Sequence, residues 1–291
     1  MRKAAIGIGI GVAVVILALS ICLRPATPSN YIYEDGRILV GGDDEPIELI
    51  NNPDATNPTY AELIVFVKED PADEHYYAGD FAVLLGTAEV SYVCSDFAED
   101  MHNNAEAAGI RAAWVSIDFE GDDKGHALNA FETTDRGLVY IDCTGKGALT
   151  LRVPPAPRDL VKTEQGTSLM ESDPTSWDKV AYVEIGKEYG LIPLEQAESP
   201  SYSFYEEFKR EWERYERLLN DYNDEVARYN QEIQGKIYYE GTPELASIEA
   251  WEASLLQQEQ QLHELQSELG DFRFEPLGIV EDINVYWGNS Q

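Results

Sequence analysis

A strict heptad pattern over residues 202–234 restricts that part of the chain to a long, packed helix. Apolar residues follow one another there at alternating spacings of four and three, which places them on one seam of a helix. We interpret this seam, which is rich in aromatic side chains, as core packing against another helix rather than as a ligand-binding surface. Its members are Phe208, Trp212, Tyr215, Leu219, Tyr222, Val226, Tyr229 and Ile233.

Residues 244–269 carry the apolar pattern of a second helix, and the short link GKIYYEGT separates them from the first. Two helices joined in this way are typical of an antiparallel hairpin, so the sequence predicts a coiled-coil helical hairpin over residues 201–270. The pattern leaves open whether this hairpin folds on its own domain or pairs with a coiled-coil partner from another chain.

The N-terminus contains an uncharged apolar run over residues 4–23, which is about as long as a helix that crosses a bilayer. Arg2 and Lys3 precede the run, and positively charged flanks stay in the cytoplasm. We therefore expect a single transmembrane anchor over residues 1–24, with a cytoplasmic N-terminus and an extracytoplasmic main domain. A cleaved signal peptide and lipidation at Cys22 are the alternatives, and both also place the main domain outside.

The chain is strongly acidic, with 54 Asp and Glu residues against 21 Lys and Arg residues and a formal charge of −33. Such a surface repels phosphate backbones, so the composition argues against nucleic acid as a partner. It also repels anionic lipid head groups, so we expect contact with the membrane through the dedicated N-terminal helix.

Residues 25–200 combine short helices and strands, which predicts an α+β domain. After a linker over 25–30, residues 31–40 have the pattern of a hairpin that turns at an Asp-Gly pair. Thr59 and Glu62 form a capping box at the start of a helix. The last segment, 271–291, contains an apolar strand that is expected to return to the main sheet.

The block from 91 to 145 is the most informative part of this domain. It predicts a helix from Cys94 to about Ala108, a strand over 111–119, and a hairpin that starts at His126 and turns within 133–137. A long loop over 146–178 and a second hairpin that turns within 187–190 follow.

Cys94, His126 and Asp142 are the candidate catalytic residues. Cys94 stands at a predicted helix start, where unpaired N–H groups and the helix dipole favour a thiolate. His126 begins one strand of the hairpin and Asp142 ends the next. They lie almost opposite each other if the turn centres near Thr134, whereas a turn nearer Arg136 offsets them. In the right register both side chains face the helix that carries Cys94, as a thiol–histidine–carboxylate triad requires.

The local sequences around these residues are C-S-D-F-A at Cys94, A-G-I-R-A-A over 108–113, H-A-L-N at His126 and Y-I-D-C-T around Asp142. In this order and spacing they resemble the transglutaminase-like superfamily, in a membrane-anchored prokaryotic type. The resemblance covers residues 91–145. It implies a papain-like core in which a helix packs on an antiparallel sheet, with Cys94 as the nucleophile, His126 as general base then acid, and Asp142 as the orienting carboxylate.

The resemblance also implies acyl chemistry on amides through a cysteine thioester, with a protein or peptide as substrate. Ser95 stands where eukaryotic transglutaminases often have tryptophan, which favours a peptidase or amidase over crosslinking. Tyr92 is the candidate oxyanion donor besides the Cys94 amide. The alternative is a non-catalytic surface scaffold that keeps the triad as a relic and binds partners through its helical hairpin.

The remaining candidate residues have structural interpretations. Cys143 is expected to face away from Asp142 and to pack in the core. His102 is expected on the exposed side of its helix, and Asp96 is expected to be a solvated helix charge. Because Cys and His residues lack metal-ligand spacing and the acidic segments do not match a calcium loop, we predict no metal and no cofactor.

Overall fold

A computed structural model describes residues 29–34, 36–75, 77, 92–122, 125–144, 178–270 and 276–288. In these ranges the chain is an α+β protein with a six-stranded antiparallel sheet, which confirms the predicted fold class at that level. The anchor predicted over 1–24 lies outside the described residues, as does nearly all of the loop predicted over 146–178. Among the described residues, no helix combines the length and the apolar character that a membrane crossing requires.

The main sheet has six strands: β5 (Ala113–Phe119), β6 (His126–Thr133), β7 (Gly137–Asp142), β8 (Lys179–Tyr182), β9 (Gly190–Pro193) and β10 (Val280–Tyr286). Their order in the sheet is β10-β5-β6-β7-β8-β9. Each pair of neighbours is antiparallel, and the C-terminal strand β10 lies beside β5, which confirms that the last segment returns to the sheet.

Four α-helices are described: α1 (Tyr60–Glu69), α2 (Cys94–Ala107), α3 (Tyr202–Ile233) and α4 (Pro243–Leu269). The capping box predicted at α1 is confirmed, because the Thr59 hydroxyl accepts the Glu62 amide and the Glu62 carboxylate accepts the Thr59 amide. Apolar residues of α1 and α2 and the first turn of α3 pack on one face of the sheet. This packing fixes the helix that begins at Cys94 against the strands that carry His126 and Asp142.

An N-terminal segment lies along α2. It contains two small antiparallel pairs, β1 (Ser29–Tyr31) with β4 (Glu48–Ile50) and β2 (Tyr33–Glu34) with β3 (Arg37–Ile38). Glu34 pairs with Arg37 in the β2–β3 register, which fits the turn predicted between them. The linker predicted over 25–30 is wrong at its end, because β1 already begins at residue 29.

Side chains of α2 accept hydrogen bonds from the backbone of this segment, as a neighbouring strand would. The Glu48 amide donates to Glu99 at 2.8 Å, the Ile50 amide to Asn103 at 2.7 Å and the Asn52 amide to Glu106 at 2.9 Å. Each of these backbone donors is thereby satisfied by a helix side chain.

This packing corrects the prediction that His102 is exposed. Its side chain is fully buried, with an exposed fraction of 0%. The segment around β4 covers the side of α2 that was predicted to face solvent. It is held there because Glu99 and Asn103, near His102 on the helix, accept hydrogen bonds from β4 amides. Neither ring nitrogen of His102 has a hydrogen-bond partner among the described residues.

The hairpin of β8 and β9 has its turn earlier than predicted. Tyr182 pairs with Gly190, which centres the connection on Gly186 rather than within 187–190. Gly186 has a φ of 78°, a conformation that glycine adopts at little cost. Gly190 instead lies in β9, where a Cβ atom would come within 2.4 Å of the Tyr205 ring. The glycine at 190 therefore serves close packing, and the one at 186 makes the turn.

Helices α3 and α4 bury the heptad seam against each other. One cluster contains seam residues of α3 together with Leu255, Leu262 and Leu269 of α4. The Trp251 indole N–H donates to Glu225 at 2.7 Å, and the Trp251 ring meets the Tyr229 ring edge to face at 5.5 Å. The seam is therefore core packing, as predicted.

Candidate active site

Cys94 is the first residue of α2 and is partly exposed. Two residues on, the Asp96 carboxylate accepts the Val93 amide at 2.7 Å and the Gly42 amide at 2.8 Å. A Cβ atom at Gly41 would overlap this carboxylate, so glycine is needed there for the close approach. Asp96 is thus a cap that joins the helix start to the N-terminal segment, which corrects its assignment as a solvated charge.

The β6–β7 register decides how His126 and Asp142 meet. Thr133 pairs with Gly137, so the turn centres on Asp135, between the two alternatives that the sequence left open. Because Asn129 pairs with Ile141, the position opposite His126 is 144, two residues beyond Asp142. The two side chains are therefore diagonal neighbours on the same face of the sheet, within reach of each other.

His126 binds Asp142 directly. The Nε2–Oδ2 distance is 2.9 Å, and the side chains are 9% and 1% exposed. Cys94 also lies close enough to His126 to act on the charge of its ring. Burial favours the neutral imidazole, but the Asp142 charge, the hydrogen bond to Asp142 and the interaction with Cys94 raise the pKa of His126 to about 10. The three candidate residues are thus brought together in the order thiol, imidazole, carboxylate.

The Asp142 carboxylate is buried in a dense set of donors. Its Oδ2 accepts the Tyr189 hydroxyl at 2.7 Å in addition to His126, and its Oδ1 accepts the Thr144 amide at 2.9 Å and the Thr144 hydroxyl. Burial opposes ionisation, but the charges of His126 and Lys179 and the hydrogen bonds from His126 and Thr144 hold the pKa of Asp142 well below its ordinary value. Lys179 is itself buried and donates to the Thr144 carbonyl at 3.2 Å. Asp142 is therefore a fixed anion.

Cys143 faces the opposite side of β7 from Asp142. It is 1% exposed, and its thiol donates to the Phe97 carbonyl at 3.3 Å. Burial raises the pKa of Cys143 well above its ordinary value. The predicted core position of Cys143 is thereby confirmed, and the chain contains an inert thiol next to its candidate site.

Two tyrosines near the start of α2, Tyr92 and Tyr77, bear on the prediction that Tyr92 is the oxyanion donor. The Tyr92 hydroxyl interacts with Asp100, and burial followed by the Asp100 charge raises the pKa of Tyr92 to about 12. Tyr77, joined to Tyr92 by a parallel bridge, lies within electrostatic range of Cys94. Burial first, then the charges of Cys94 and Asp142, raise the pKa of Tyr77. Tyr77 is thus the candidate donor, because its phenol stays neutral in the field of these two charges.

Sequence reasoning missed the residues that surround Asp142. A signal existed for Thr144, because a threonine two residues after an aspartate commonly closes a local turn on the carboxylate. No local signal existed for Tyr189, which is 47 residues away along the chain, or for Lys179. No group of three or more metal-ligating side chains is found within the described part of the chain.

Comparisons of the chain with protein-family models, curated proteins and solved structures found no match. The resemblance to the transglutaminase-like superfamily therefore stays a prediction that rests on the motifs around Cys94, His126 and Asp142.

Proposed function

We propose that this chain is a membrane-anchored, extracytoplasmic thiol enzyme of the transglutaminase-like type that cleaves or transfers amide bonds of a protein or peptide. In this proposal α2 and the sheet form a papain-like core, and α3 with α4 forms an antiparallel helical hairpin that presents substrate or holds a partner. The observation that carries the proposal is that His126 is hydrogen-bonded to Asp142 and interacts with Cys94.

The chemistry follows from where the proton resides. His126, held as an imidazolium by Asp142, stabilises a thiolate at Cys94. The sulfur attacks the amide carbonyl carbon, and the oxyanion that forms lies near the helix start and Tyr77. As the C–N bond breaks, the nitrogen leaves as an amine with the His126 proton, and a thioester remains on Cys94. Water or a second amine, deprotonated by His126, then attacks the thioester and restores the thiolate and the imidazolium. No cofactor is required.

The scaffold alternative uses the same contacts without turnover. It predicts that Cys94 is no more reactive than an ordinary exposed thiol and that His126 is without influence on it. The reactivity of the thiol is therefore the property that separates the two functions.

The test is alkylation of the full chain in detergent with iodoacetamide between about pH 5 and pH 9, with the modified cysteine located by peptide mass spectrometry. Cys143, which is 1% exposed, is the internal reference for an inert thiol. We expect Cys94 to react quickly near neutral pH, and we expect His126→Ala to lower its rate at least about tenfold. His263→Ala, at an exposed position of α4, is the matched control and should react as the wild type does.

Equal, slow alkylation of Cys94 in the wild type and in His126→Ala would exclude an activated thiol and favour the scaffold. In that case the search would turn to proteins that bind the helical hairpin.

A further inference from the structure

Tyr189 contacts both members of the acid–base pair from the connection between β8 and β9. Its hydroxyl donates at 2.7 Å to the same Asp142 oxygen that accepts the His126 ring N–H at 2.9 Å. Its ring also meets the His126 ring edge to face, at a centroid distance of 5.4 Å. The side chain is completely buried, so water does not compete for the hydroxyl.

We propose that Tyr189 is a positioning residue of the site, which acts through Asp142: its hydroxyl offsets part of the charge on Asp142 Oδ2, so that His126 can release its proton to the leaving amine. This inference rests on the proposed function, since it concerns how readily His126 acts as the acid in that reaction.

The backbone of Tyr189 is held in place by the C-terminal segment. The Tyr189 amide donates to the Gly278 carbonyl at 2.9 Å, and the Val280 amide donates to the Lys187 carbonyl at 2.8 Å. The Phe119 ring packs edge to face on the Tyr189 ring at 5.8 Å. The return of the chain to the sheet therefore affects the site, because Gly278 just before β10 and Val280 at its start bind the backbone of the connection that carries Tyr189.

The two oxygens of Asp142 have different roles in this arrangement. Thr144 holds Oδ1 through its amide and its hydroxyl, so the carboxylate stays in position when the Tyr189 hydroxyl is removed. What changes is the charge on Oδ2. A donor on a carboxylate stabilises its anion and weakens its attraction for a neighbouring proton. Without Tyr189, Asp142 would hold the His126 proton more tightly, and a general acid that holds its proton too tightly transfers it slowly.

Charged and titratable groups face His126 and Asp142 from several elements of the fold. His126 faces Cys94 from α2, Asp142 from β7 and Tyr189 from the β8–β9 connection. Lys179 of β8 acts on Asp142. Burial, followed by the Asp142 charge, raises the pKa of Tyr189 well above its ordinary value, so the phenol remains a neutral donor wherever His126 titrates.

The experiment is a nitrogen NMR titration of the imidazole groups in the full chain, which has 4 histidines. Tyr189→Phe keeps the ring and removes the hydroxyl, and it is expected to raise the pKa of His126 by about one unit, a tenfold change in proton affinity. Tyr182→Phe is the matched control. It removes an equally buried phenol of the same hairpin, which donates at 2.8 Å to the Ser199 carbonyl, and it should leave the His126 titration unchanged.

A second substitution guards against a variant that fails to fold. Site-specific replacement of Tyr189 by fluorotyrosine makes the phenol a stronger donor and should shift the pKa of His126 downward, opposite to Tyr189→Phe. An unmoved His126 titration in these variants, or an equal shift in Tyr182→Phe, would overturn the role of Tyr189. Dependence of Cys94 alkylation on His126 is read separately, so failure of the proposed function and failure of the Tyr189 inference give different results.

Discussion

The buried imidazole of His102 makes a quantitative prediction about acid stability. Its exposed fraction is 0%, and neither nitrogen has a hydrogen-bond partner among the described residues. Burial lowers the pKa of His102 from 6.5 to about 4. The perturbation is His102→Leu, which fills the site with an apolar side chain that has no proton to bind.

The magnitude follows from proton linkage. Below pH 6.5 the unfolded chain binds a proton at His102 that the folded chain does not bind until about pH 4, so the fold loses stability as the pH falls through this window. Each pH unit in the window costs about 1.4 kcal/mol. Between pH 7.5 and pH 5, His102 should therefore remove about 2 kcal/mol from the free energy of unfolding.

The assay is urea unfolding at both pH values for the wild type and for His102→Leu. The variant should be at least as stable as the wild type at pH 7.5, since it removes unpartnered buried nitrogens, and it should gain about 2 kcal/mol over the wild type by pH 5. Burial raises the pKa of the neighbouring Glu99 to about 7, which has the opposite sign, and the difference between the two chains largely removes this effect. His263→Leu is the exposed control. A wild-type-minus-variant difference that is independent of pH would refute the reasoning.

Three further predictions concern the site and the packing. Asp142→Asn removes the charge that holds the His126 proton, so the pKa of His126 should fall toward its ordinary value and Cys94 alkylation near neutral pH should slow at least about tenfold; unchanged alkylation would contradict this. Gly190→Ala should cost about 1–3 kcal/mol in unfolding experiments, because its Cβ would come within 2.4 Å of a tyrosine ring; a neutral effect would count against the packing. Leu262→Ala in the α3–α4 cluster should cost about 2–5 kcal/mol, whereas Leu256→Ala, 54% exposed, should cost under about 0.5 kcal/mol.

Elements with local signals were predictable from the sequence. The Thr59–Glu62 capping box, the start of α2 at Cys94 and the return of β10 to the sheet all appear close to where the pattern placed them. Caps and alternating strands depend on residues a few positions apart, and a single sequence contains that information.

Features that depend on distant segments were not predictable in the same way. The burial of His102 results from β4, which lies about 50 residues earlier in the chain. The amides of β4 bind side chains of α2. The contact of Tyr189 with Asp142 requires the sheet order and the C-terminal segment together. The triad could be proposed because its spacing fits one hairpin, but the residues that set its electrostatics come from other strands.

The protonation state of His126 tests the central claim most directly, and nitrogen NMR of the imidazole measures it at pH 8. The contacts with Asp142 and Cys94 raise the pKa of His126 to about 10, so both ring nitrogens should carry protons at pH 8 in the wild type. Cys94→Ser, which removes the thiol partner, should lower this pKa. A neutral His126 ring at pH 8, with the same spectrum in Cys94→Ser, would contradict an imidazolium that activates the thiol.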